Sequence, residues 1–225
     1  MWHCALALLL LATPAERAQP GTVRGEVRIT TVAPDGSRKV KADRSDVVVY
    51  IPDFQESLPP GPPVEMRQQD KAFVPSVLPI HVGQTVDFFN ADPLLHNVFS
   101  NSRAARFDLG KFKGHSKAVQ FTEPGVVDVY CDIHESMVGT IFVLPNHAFA
   151  RTGPDGRFEL RGVPPGKHTV YAWLRDASPV TAEVNAAPGQ AAMLTLSLEE
   201  HPVAKPHHKN KYGEDYKPHS AGYDR

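Results

Sequence analysis

Four side chains that could act on one ion stand out from the sequence. Cys131, His134 and Met137 follow one another at three-residue intervals in YCDIHESMVG, and His96 lies thirty-five residues before the cysteine in ADPLLHNVFS. A thiolate, two imidazoles and a thioether are soft donors that favour copper, with the two histidines and the cysteine in a trigonal plane and the methionine as a weak, long axial ligand. Magnesium and calcium take hard oxygen ligands and are not expected here. Taken singly, each residue has an ordinary explanation: Met137 as a core gap-filler, His96 as a hydrogen-bonded histidine, Cys131 as a small buried hydrophobe. Their order, together with the strand and loop context, points to a metal site.

That context has to bring them together. VVDVYC reads as a strand and Gly139 to Leu144 as the next, so the chain must turn back within a few residues and can present sulfur, nitrogen and sulfur from one peptide. The fourth donor then has to come from a distant strand end, which His96 satisfies. Elsewhere, runs of Val, Ile, Thr, Phe and Tyr broken by Gly, Pro, Asn and Asp predict strands at 22–32, 46–51, 77–82, 85–90, 116–121, 126–131, 139–144, 168–174, 180–186 and 192–198. No convincing amphipathic helix appears, and the fold class expected is all-β.

The chain has 225 residues and 41% apolar content, enough for one large or two small domains. A formal net charge of −1, without a basic stripe, gives no general attraction for nucleic acid. Residues 1–18 carry the apolar run ALALLLLA followed by small residues, which reads as a secretory signal cleaved after Ala15 or Ala18. The run is too short to span a membrane, which takes about 20 residues. Export to the periplasm or extracellular space follows, and with Cys4 removed Cys131 is left without an internal disulfide partner.

Pro59-Pro60-Gly61-Pro62-Pro63 cannot continue a sheet and marks a connector; Pro145-Asn146 marks a second boundary. Residues 199–225 are polar, contain His201, His207, His208 and His219, and read as a disordered tail with a secondary possibility of copper capture. Gly21 to Ile51 and Phe149 to Leu198 each carry a Pro-Asp-Gly turn between strands. The later piece resembles the carboxypeptidase regulatory-like, immunoglobulin-type β-sandwich, and the earlier piece resembles that family's opening strands. The resemblance implies a discontinuous sandwich, residues 20–52 plus 147–198, interrupted by an inserted domain at 53–146.

Within the insert, FVPSVLPIHVGQTVDFFNADPLLHNVFS, FTEPG and VYCDIHESMVGTIFVL resemble the cupredoxins, or type 1 blue copper proteins, over about residues 64–145. In loop length they look most like the amicyanins. With the flanking segments, the arrangement is similar to periplasmic cupredoxin-like proteins labelled methylamine utilization proteins. The resemblance implies a Greek-key sandwich with His96, Cys131, His134 and Met137 as ligands of one copper. It also implies that Asn97 ties the two ligand loops together with its N–H aimed at the sulfur, although its side chain could serve only a turn. Tyr130 resembles the aromatic beside the cysteine in plastocyanin, or is simply a half-buried strand residue.

Competing chemistries fail on residue identity. An HExxH protease needs a second histidine where Val138 stands, a binuclear copper centre needs a second loop cysteine, and multicopper oxidases use several His-x-His pairs. His81, His115, His147 and His168 lack ligand context and are expected to be structural or exposed. The expected function is one-electron shuttling between transiently docking redox proteins, with no reaction catalysed. The alternative is a copper storage, delivery or sensing module.

Overall fold

The computed structural model describes residues 19–201 and 208–216. Residues 1–18, expected to be a secretory signal, and His207 and His219 lie outside the described residues. Among the described residues every regular element is a strand: β1 Gly21–Val32, β2 Arg38–Val40, β3 Val48–Tyr50, β4 Val64–Glu65, β5 Arg67–Gln69, β6 Ala72–Val74, β7 Val77–His81, β8 Thr85–Phe89, β9 His96–Asn101, β10 Arg106–Phe112, β11 Ser116–Gln120, β12 Gly125–Tyr130, β13 Val138–Leu144, β14 Phe149–Arg151, β15 Arg157–Val163, β16 Gly166–Trp173, β17 Val180–Ala186 and β18 Ala191–Glu200. Among the described residues no helix is long and apolar enough to cross a membrane.

Two sheets of the middle segment, ordered β10-β9-β12-β13-β7 and β11-β8-β4, share one apolar core that includes Val86, Phe88, Val98, Phe112, Val127, Val129 and Ile141. The outer segments supply β15-β1-β18, with β2 beside β1, and β14-β3-β16-β17. Strand β1 runs antiparallel to β15 and parallel to β18, so residues 21–32 are tied to chain that follows the middle segment. These sheets enclose a second core built on Val27, Ile29, Val49, Leu160, Val170, Ala172 and Leu198. Period-two alternation explains the choice of face: in β16, His168, Val170 and Ala172 point inward while Thr169 and Tyr171 do not.

Strand β13, VGTIFVL, is apolar without alternation because both its faces are covered. Ile141 and Val143 enter the middle core, whereas Phe142 and Leu144 join Val48, Val77, Tyr50, Phe149 and Trp173 between the two halves. The Phe142 and Trp173 rings meet edge to face at 4.7 Å. The chain crossings are pinned by the buried Asn146, whose Nδ2 donates to the carbonyls of Ile51 (2.9 Å) and Phe54 (2.7 Å) while its Oδ1 accepts Ala148 N–H.

Two features depart from the sequence expectation. HNVFSN and RFDLGKF form β9 and β10 although neither reads as a strong strand; β9 is buried nearly throughout, and its polar side chains find partners inside the protein. The tail expected to be disordered from 199 onward is ordered in part: β18 continues to Glu200, and residues 208–216 lie against the loop after β12. Composition counts missing apolar groups, whereas this segment is held by donors and acceptors.

Candidate metal centre

The β12–β13 hairpin ends in the loop 131–137. Cys131 N–H donates to the Met137 carbonyl at 3.3 Å and Met137 N–H to the His134 carbonyl at 3.1 Å, which winds the loop inward. His96 opens β9, which meets β12 where Phe99 faces Tyr130. The structure thereby brings together His96, Cys131 and His134, whose candidate ligand atoms all lie within 4.8 Å of one another and are buried. His96 Nδ1 stands 3.0 Å from His134 Nδ1, and Cys131 Sγ 3.7 Å from the same nitrogen. Met137 is fully buried in the apolar cluster that also holds Cys131 and Ile133.

The orientation of His96 comes from Asp92. Asp70 and Lys71 form a two-residue turn between β5 and β6, both with positive φ (54° and 56°), a conformation whose twist matches a hairpin. Their N–H groups donate to the Asp92 carboxylate at 2.8 and 3.0 Å, and His96 Nε2 sits 2.7 Å from Asp92 Oδ2. Burial pushes the Asp92 carboxyl up, but the Lys71 N–H, His96 and Asp70 N–H outweigh it and hold the group below its ordinary range. A carboxylate at Nε2 keeps the ring proton there and leaves the Nδ1 lone pair facing His134, the arrangement that carboxylates commonly impose on metal-binding histidines. Asp92 stands in the motif of His96, but its role rests on a turn 21 and 22 residues earlier that the sequence does not tie to it.

Asn97 links the two ligand-bearing segments. Its Nδ2 donates to Asp108 Oδ1 at 2.6 Å, and its Oδ1 accepts Asp132 N–H at 3.3 Å. Burial pushes the Cys131 thiol up, partly opposed by the N–H groups of Asn97, Ile133 and His134 directed at the sulfur; Ile133 N lies 3.4 Å from Sγ. Tyr130 is half-buried at the end of β12, and burial raises its hydroxyl pKa.

The tail contacts were not foreseen. His208 Nε2 lies 2.6 Å from the Glu135 carbonyl, the Tyr216 hydroxyl donates to the Cys131 carbonyl at 2.6 Å, and Lys211 N–H donates to Asp132 Oδ1 at 3.2 Å. No spacing signal joins these residues to a loop some eighty positions away. The four histidines expected to be structural or exposed are engaged elsewhere: His81 with the Val82 carbonyl, His115 with the Lys113 carbonyl, His147 with Glu56, and His168 with Asp53 and the Pro164 carbonyl.

Two imidazoles and a thiol, all buried, fit a soft transition metal and not a hard cation. Residues 63–144 match the family model described as copper binding proteins, plastocyanin/azurin family. The chain carries a cupredoxin domain over that span, and copper is the cofactor that this family and donor set define. Among solved structures, the copper-containing nitrite reductase from Thermus scotoductus SA-01 is 28% identical, with 43% of this chain and 25% of that chain covered and a TM-score of 0.36. The chain thus spans a quarter of the length of that protein. A reduced amicyanin variant is 24% identical, with coverage of 42% and 97% and a TM-score of 0.35. A purple cupredoxin from Nitrosopumilus maritimus is 26% identical, with coverage of 36% and 98% and a TM-score of 0.32. No curated protein matches the chain.

Proposed function

We propose that His96, Cys131, His134 and Met137 hold one copper ion and that the protein shuttles single electrons between redox proteins without catalysing a reaction. The observation that carries this reading is the convergence of three buried donor atoms within 4.8 Å, contributed by two segments thirty-five residues apart. Copper, when bound, supplies one-electron chemistry by alternating between its cupric and cuprous states. The chain's own residues do the rest. Asp92 fixes the His96 ring, Asn97 fastens the loop of Cys131 to the strand of His96, and N–H groups directed at the sulfur favour the thiolate. A donor set held this firmly changes little between oxidation states, which keeps reorganisation small.

His134 is the port in this reading. It is 6% exposed, whereas His96, Cys131 and Met137 are 0% exposed. The apolar Leu95, 40% exposed, lies beside His96 in sequence and suits a transient docking surface of small area. The copper domain occupies 53–146, inserted into a sandwich of residues 20–52 and 147–198. Support comes from the pairing of β1 with β15 and β18 and from the two separate cores. The exported form, in the periplasm or outside the cell, is the one in which such a carrier works.

The test is visible absorption of the copper-loaded protein beside Cys131→Ser. An intense thiolate-to-copper charge-transfer band in the first and none in the second is expected; no band in either refutes the assignment. Reversible cycling with ready electron exchange separates a carrier from a storage or delivery module.

A further inference from the structure

Residues 208–216 make a concentrated set of contacts with one short loop. The His208 ring lies over Tyr130 at 4.3 Å with 30° between planes, and Tyr216 meets His208 edge to face at 5.2 Å. From this pair come two hydrogen bonds to loop carbonyls, Tyr216 to Cys131 and His208 to Glu135, both at 2.6 Å. Lys211 adds a third through its N–H to Asp132. Its ammonium reaches Asp108 Oδ2 at 2.8 Å, and Asp108 is the carboxylate that holds Asn97 next to His96. One segment is therefore bonded directly to the loop of Cys131 and, through the Asp108 and Asn97 side chains, is tied to the strand of His96. Loop carbonyls left to water exchange partners freely, whereas carbonyls bonded to packed aromatic side chains do not move without breaking those bonds.

We propose that residues 208–216 are a clasp on the 131–137 loop, with His208 and Tyr216 acting as positioning residues that keep the Cys131 thiolate and His134 imidazole in copper-binding geometry. The proposal rests on the copper reading above. Neither side chain belongs to the donor set; both act through the loop backbone. The clasp resists the loop opening through which copper leaves, and it fixes the sulfur's orientation, to which the charge-transfer band is sensitive.

The test uses the full chain, loaded with copper, as wild type and as Tyr216→Phe, His208→Ala, His208→Gln and the Tyr216→Phe/His208→Ala double variant. Tyr212→Phe is the control, since the Tyr212 side chain is exposed. Copper loss to an excess of chelator, the position of the charge-transfer band and the melting of the metal-free protein are measured together. One net hydrogen bond is worth about a five-fold change, so Tyr216→Phe and His208→Ala each release copper about five-fold faster and the double variant more than about ten-fold faster. The band shifts, Tyr212→Phe behaves as wild type, and metal-free melting is unaltered. His208→Gln, which keeps an N–H donor at similar reach, recovers part of the loss. Equal release rates and an unmoved band across all variants overturn the clasp, as does a drop in metal-free melting with the band unmoved. A wild-type protein without any charge-transfer band overturns the copper reading, and the clasp with it.

Discussion

His96 Nε2 lies 2.7 Å from Asp92 Oδ2, and the same carboxylate receives the N–H groups of Asp70 and Lys71. One side chain thus ties a hairpin turn to an imidazole of the candidate metal centre. Replacing Asp92 by Ala removes the anchor of the ring and leaves two turn N–H groups without their acceptor. Outer partners of metal-bound histidines are typically worth about 10–100-fold in affinity, and a loss in that range is expected in a chelator competition. Unaltered affinity would show that the ring is held by packing alone.

His134→Gly removes the least buried member of the donor set. Electron transfer to a redox partner should slow far more than the fold is weakened, because the proposed route through the imidazole is lost while the two apolar cores are untouched. Stopped-flow transfer rates set against thermal melting decide the point. Comparable losses in both would remove His134 as the port.

Phe142 is 3% exposed and packs on Trp173 and Tyr50 between the two halves of the molecule. Phe142→Ala leaves a cavity there and should cost about 3 kcal/mol, the lower part of the range for a buried aromatic. Denaturant unfolding followed by the copper band and by Trp173 fluorescence should then resolve into two transitions, since the contact joining the halves is weakened. Coincident transitions with unchanged midpoints would mean that the halves are coupled elsewhere.

The two Pro-Asp-Gly turns offer a contrast. Gly36 and Gly156 both have positive φ (81° and 69°), but a Cβ on Gly36 meets nothing within 4 Å, whereas one on Gly156 falls 2.6 Å from the Val27 carbonyl oxygen. Gly36→Ala should therefore cost only the left-handed strain, about 1–2 kcal/mol. Gly156→Ala should cost more, because a backbone atom of β1 has to shift as well. Equal destabilisation of the two variants in urea melts would contradict this reading of the turn.

Much of the centre is legible in the chain because its chemistry is local. Cys131, His134 and Met137 share one loop, and the strands flanking that loop alternate or run apolar as their neighbours demand. Strands at the 22–32, 77–82, 116–121 and 180–186 runs are likewise written in β-branched and aromatic residues. Strand β9 is not, since three of its five buried positions are His, Asn and Ser, and polar residues read as strand only once their partners are known.

The amino-acid sequence by itself determined the donor types, the all-strand class and the places where the chain must turn, because each depends on residues close together in the chain. Tertiary structure alone decided that Asp92 serves both a turn and a histidine, that Phe142 faces a second core, and that His208 and Tyr216 bond to the 131–137 loop. Hydrogen bonds and ring contacts between residues some eighty positions apart leave no periodic trace in sequence; they exist only once folding has brought those donors and acceptors within reach.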